Sequence, residues 1–148
     1  MAHLVKDAAR SFLRSLQARL AMENVTLGHW TFLRILWDKD GITQRELSYE
    51  AGVMEPTTVV ALRAMEGLGY VTRERRGENR KSFYVFLTPL GRSLQLRLVP
   101  LAEEVNALAV FGLAPDHVTT TRRSLQLMLD NLASDPLLAA EAAPPQML

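Results

Sequence analysis

There is no cysteine in the 148 residues. That absence excludes disulfides, thiol redox sensing and any zinc site built on thiolates. Histidine is nearly as scarce: His3, His29 and His117 lie too far apart for a metal-ligand spacing, and no cofactor is expected. No nucleophile–base pair, phosphate-binding loop or metal cluster is recognisable, so an enzyme is not expected. No signal peptide and no apolar run of membrane length stand out, which makes a cytoplasmic chain with no membrane partner the expectation. Net charge is almost missing too, at +1.

What is present is a folding composition with unevenly placed charge. The chain is 48% hydrophobic and long enough for one domain with one core. Residues 1–20 carry +3, 21–70 carry −3, 71–92 carry +4 and 93–148 carry −3. The basic band contains "RERRGENRKSFYVFLTPLG", with Arg73, Arg75, Arg76, Arg80, Lys81 and Arg92 against Glu74 and Glu78. Such a band inside an otherwise acidic chain suits a polyanion partner, although a solvated charge run would look the same.

Helical periodicity runs through "AHLVKDAARSFLRSLQARLAM", with Leu4, Phe12 and Leu16 on its apolar stripe. Thr26 is placed to cap a second helix, "LGHWTFLRILWDKDG". "TQRE" is a capping box, Thr43 with Glu46, opening a short third helix that ends at Gly52. Pro56 suits the first turn of a fourth, which Gly67 and Gly69 end. "YVTRERR" and "SFYVFLT" alternate with period two around "GEN" and read as a β-hairpin, with Arg73, Arg75 and Arg76 on its first strand and Arg80 and Lys81 at its turn. Thr88 and Pro89 open a long fifth helix with a kink expected at Pro100, and "LAP" opens a last one whose stripe includes Leu125, Leu129 and Leu132.

The order helix, helix, turn, helix, hairpin is that of a winged helix-turn-helix. A helix fits the major groove of B-DNA, and a basic hairpin beside it can reach phosphates or a narrow minor groove. On the fourth helix Val59, Leu62 and Met65 project to the core side, while Pro56, Thr57, Val60, Arg63 and Ala64 project outward. The outward face has few bidentate donors, and its methyl groups could meet thymine methyls. Gln44 and Arg45, on the preceding helix, suit phosphate. Thr57 and Thr58 also read as ordinary first-turn residues, and Arg63 as a solvated arginine.

At "LGHWTFLRILWDKDGITQRELS", "VMEPTTVVALRAMEGLGYVTRERR" and "ENRKSFYVFLTPLG" the chain resembles the MarR (multiple antibiotic resistance regulator) family of bacterial transcription factors, in order and spacing over roughly residues 10–132. The resemblance implies a mainly α fold with a small β-hairpin wing (α+β), a winged helix-turn-helix with N- and C-terminal dimerisation helices. It implies a single domain over 1–148, a DNA-binding lobe over 26–88, dimerisation helices over 1–22 and 89–133, and a loose tail over 134–148. The implied function is that of a homodimeric, sequence-specific DNA-binding regulator on a pseudo-palindromic operator, a repressor released by a small aromatic carboxylate. The alternative is a winged-helix module for protein–protein assembly without specific DNA binding. The DNA-binding residues would be Gln44, Arg45, Pro56, Thr57, Thr58, Val60, Arg63, Arg73, Arg75, Arg76, Asn79, Arg80 and Lys81. Two departures from the family pattern stand out: Asn79 replaces the usual wing Asp, and Val60 and Arg63 replace an Arg and an Asp in the fourth helix. An effector pocket of this family implies Phe12, Arg14, His29, Trp30 and Arg34, with arginine pairing a carboxylate and tryptophan stacking on a ring. Trp30 also reads as a core anchor and His29 as a first-turn residue.

Overall fold

The structure, a computed structural model, describes residues 1–77 and 81–141. The chain divides into two compact units, Met1–Ala109 and Val110–Leu148. The first contains α1 (Ala2–Met22), α2 (Leu27–Asp38), α3 (Gln44–Ala51), α4 (Glu55–Gly67), β1 (Val71–Arg75), β2 (Phe83–Leu87) and α5 (Pro89–Ala109). The second contains α6 (Pro115–Ala133) and α7 (Pro136–Glu141).

Local chemistry sets most of the helix boundaries. The Thr26 hydroxyl accepts from His29 N, so α2 begins where the sequence cap lies. Thr43 and Glu46 complete a reciprocal capping box on α3, and Gly52 ends that helix in the left-handed region. Thr88 Oγ1 accepts from Gly91 N at 3.0 Å and starts α5. Pro100 lies inside α5. Within the segment 134–148, expected to be loose, Pro136–Glu141 form α7, where Asp135 Oδ1 accepts from Leu137 N at 3.0 Å and Pro136 suits a first helical turn; 142–148 lie outside the described residues.

The core of the first unit is built from Leu20, Leu33, Leu36, Leu47, Leu62, Met65, Val85, Leu94 and Leu98, all fully buried or nearly so. Leu16 joins this core instead of staying on an open stripe, whereas Leu4 and Phe12 of the same helix are exposed. β1 and β2 pair antiparallel, Val71 opposite Leu87 and Arg75 opposite Phe83. The loop after α2 adds a rung to this hairpin. Gly41 N donates to Val85 O and Val85 N to Ile42 O, both at 2.9 Å, and Thr43 bridges to Tyr84. In the second unit α6 has no buried residue, and Leu125, Leu127, Leu129 and Leu132 are all exposed.

The hairpin is anchored where α5 begins. Trp37 Nε1 donates to Gly91 O at 2.9 Å, Asp40 Oδ1 accepts from Leu87 N at 2.8 Å, and Asp40 pairs with Arg92. Gly91 itself packs against the Tyr70 carbonyl so closely that a Cβ there would run into the oxygen. Gly91→Ala should therefore destabilise the fold by about 1–3 kcal/mol, the usual cost of overpacking a tight contact. Gly67→Ala, which meets nothing within 4 Å, should be neutral or stabilising by up to about 1 kcal/mol. Urea unfolding of the two variants checks the contrast.

Candidate nucleic-acid interface

Helices α3 and α4 are joined by a buried polar contact. Ser48 and Thr58 are 3% and 0% exposed, and their hydroxyls hydrogen-bond each other at 2.7 Å. Ser48 Oγ also lies 2.9 Å from the Gln44 carbonyl oxygen, which accepts from it. With Leu47, Leu62 and Met65 packed beside them, these hydroxyls fix how α4 crosses α3. Thr58 is thereby removed from the DNA-binding candidates: a fully buried side chain cannot reach a groove.

The outward face of α4 matches the helical projection. Pro56, Thr57, Val60, Arg63 and Ala64 are exposed, and Val59 is only half-buried. Arg45 is exposed on α3, and neither it nor Arg63 makes an ion pair among the described residues.

The hairpin cations divide into inward and outward sets. Strand alternation puts Arg73 on the same side as the buried Val71. There its guanidinium pairs with Glu66 Oε2 of α4 at 2.9 Å and donates to Gln44 Oε1 of α3 at 3.3 Å. Its side chain is 15% exposed. Arg73 and Gln44, both expected on the DNA surface, tie β1 to the two helices of the helix-turn-helix. Arg75, further out on the same side, lies over the Phe83 ring at 4.6 Å and stays exposed. Arg76 falls just past the strand end, lies over Phe86 at 4.3 Å and pairs with Glu74 at 3.0 Å. Lys81 is exposed two residues ahead of β2, while Asn79 and Arg80 lie outside the described residues. Alternation read from Val71, together with Glu66 on the preceding helix, was the sequence signal for Arg73. The Ser48–Thr58 contact and the role of Asp40 had no such signal.

Two of the five effector candidates line recesses, each a different one. Phe12 lines an apolar recess of about 210 Å³ with Ala8, Ser11, Ser15, Val105, Leu108 and Ala109. Arg34 lines a different one of about 330 Å³ with Ile35, Asp38, Lys39 and Glu50, where Lys39 and Glu50 pair at 2.7 Å. Trp30 is buried edge-on to Trp37, ring centroids 5.7 Å apart, and is a core anchor. His29 is half-buried, and that burial holds its pKa below the ordinary imidazole value. Arg14 is exposed on α1. Among the described residues no group of three His, Cys, Asp or Glu could hold a metal ion, and no helix is long and apolar enough to cross a membrane.

Removing Arg73 would leave Glu66, itself only partly exposed, without its partner. Arg73→Ala should therefore destabilise the protein by about 1–3 kcal/mol. Arg73→Ala combined with Glu66→Ala should cost less than the sum of the two single changes. Denaturant titration of the four proteins in this cycle measures the coupling.

A sequence model of the MarR family matches residues 25–83, from the start of the helix-turn-helix region into β2. An HTH-type transcriptional regulator, TtmR, of Methylorubrum extorquens (strain PA1) is 30% identical over 130 residues, which cover 88% of this chain and 62% of that protein. The homoprotocatechuate degradative operon repressor of Escherichia coli is 29% identical over 99 residues, 67% of this chain and 65% of that one. The matches thus span less than two thirds of either relative's length. Among solved structures, a MarR transcriptional regulator from Methanosarcina mazei Go1 superposes with a TM-score of 0.82 at 25% identity, over 88% of this chain and 94% of that one. The family model, these relatives and the solved structure agree in likeness to MarR-family regulators, and the superposition shows that the chain shares their fold.

Proposed function

We propose that the chain is a homodimeric, sequence-specific DNA-binding transcriptional regulator acting in the cytoplasm, a repressor and not an enzyme. The observation that carries this reading is an outward α4 face locked to α3 by Ser48–Thr58 and tied to a cation-bearing hairpin by Arg73–Glu66. In this arrangement α4 enters the major groove, while Arg75, Arg76 and Lys81 reach phosphate or the minor groove. The names of two relatives, a transcriptional regulator and an operon repressor, support it. Dimerisation is supported by apolar side chains that stay exposed in each unit: Leu4, Phe12 and Leu13 on α1, and Leu125, Leu129 and Leu132 on α6. An unpaired chain would keep these in water.

Selection from a random duplex library, followed by titration at several salt concentrations, tests the reading. A preferred duplex should emerge, bound by two chains as measured by analytical ultracentrifugation. Arg75→Ala should lower the salt slope by about one counterion per subunit if its contact is with phosphate. Arg73→Ala should leave the slope unchanged, because that cation is committed to Glu66. Failure to select any duplex would favour a protein–protein assembly module.

The reading extends to release by a small aromatic carboxylate. Its support is the E. coli relative, named for an operon that degrades homoprotocatechuate, an aromatic acid. Phe12 and Arg34 line different recesses, and the apolar one lined by Phe12 is the better place for a ring. To release DNA, the acid must bind the DNA-incompetent form more tightly than the competent one. A panel of aromatic acids should include one that raises the melting temperature and releases DNA in gel retardation, with both effects weakened by Phe12→Ala. If no acid does both, this extension fails and the DNA-binding reading stands.

A further inference from the structure

Helix α4 keeps an apolar side chain in water on the face opposite its fully buried residues. Val60 is 69% exposed, while Leu62 and Met65, two and five positions on, are 0% exposed. Met54, the N-cap of the same helix, is 77% exposed. Thr57, Val60 and Ala64 follow a spacing of three and four and share one helix face, with Pro56 and Arg63 beside them. This strip is short of the groups that read purines. A guanine is read by a bidentate Arg or Lys and an adenine by Asn or Gln, and only Arg63 belongs to either set. The rest of the strip offers methyl and methylene groups, and in the major groove the apolar feature they match is the thymine 5-methyl.

The charge beside the strip suits a polyanion better than an apolar protein surface. Arg63 on the strip and Arg45 on the preceding helix are exposed, with no ion pair among the described residues. The strip is also continuous with the face that α4 turns away from its Ser48–Thr58 contact.

From this geometry we infer that Val60, together with Thr57, is a specificity-determining residue that selects thymine through its 5-methyl group. The inference rests on the DNA-binding reading above and names the base chemistry that reading leaves open. It makes α4 a reader of methyl position, with Arg63 as its one strong hydrogen-bond donor.

Uracil substitution isolates the methyl, because deoxyuridine keeps the pairing edge and the O4 acceptor of thymidine. In the duplex selected above, each thymidine is replaced in turn by deoxyuridine and the affinity of the intact chain is measured. At the contacted position in each half-site the affinity should fall roughly fourfold per methyl, the size of one buried methylene-sized group. In Val60→Ala the same replacement should cost clearly less. Val60 is exposed, so this variant keeps its fold, which its circular dichroism and melting curve verify. Thr57→Ser, which removes only a methyl, is the second variant, and a smaller uracil penalty there adds Thr57 to the contact. A flat uracil scan overturns the inference while leaving DNA binding intact. Equal penalties in the intact chain, Val60→Ala and Thr57→Ser overturn it as well, because they trace the effect to duplex flexibility. If no duplex is selected, this inference and the DNA-binding reading fall together.

Discussion

Glu66 and Arg73 stand on either side of the turn that separates α4 from β1, and the charge-assisted contact between them governs the rest of the interface. A two-stranded hairpin has little stability alone. This one is held at its base by the core residues Val71 and Leu87, and part-way along by the buried Val85 and by Arg73 opposite it, which reaches α4 and α3 together. The pair is partly desolvated and therefore screened less by salt than a surface pair. The same arginine makes the outward part of the hairpin an extension of the helix-turn-helix.

The two units are stabilised in different ways. The first has a closed core, with five buried side chains on α2 alone. The second has a long helix and no buried side chain on it. Hydrophobic burial is the main favourable term in folding, so α6 gains little from its apolar residues as it stands. An amphipathic helix of this kind needs tertiary or intermolecular packing to remain helical. The recess beside Phe12 is formed by α1 and α5 within the first unit, so that unit alone can present a small apolar cavity.

Features encoded over three or four residues were legible in the sequence. The caps at Thr26, Thr43 with Glu46, and Thr88 follow from side chains next to the backbone groups they satisfy, and the stop at Gly52 from a left-handed turn that suits glycine. The outward face of α4 followed from helical geometry. Contacts between distant residues were not legible. Asp40 meets residues 87 and 92, and Ser48 meets residue 58, through the fold alone. Thr58 looked like any first-turn threonine until Ser48 was placed beneath it. Charge count alone groups Arg73 with the outward cations, whereas strand alternation assigns it to the inner face. Trp30 shows the same contest between chemistry and packing: a ring able to stack on a ligand is covered by Trp37 and the core.

The pairing of the basic band bears on how fast the chain meets a partner. Arg73, Arg76 and Arg92 each face a carboxylate, from Glu66, Glu74 and Asp40. Opposite charges a few ångströms apart cancel at distances beyond the Debye length, about 8–10 Å in physiological salt. The far field of the band is therefore weaker than its six cations suggest, and long-range steering contributes less to the encounter. For any charged partner, most discrimination then shifts from the encounter to the lifetime of the complex.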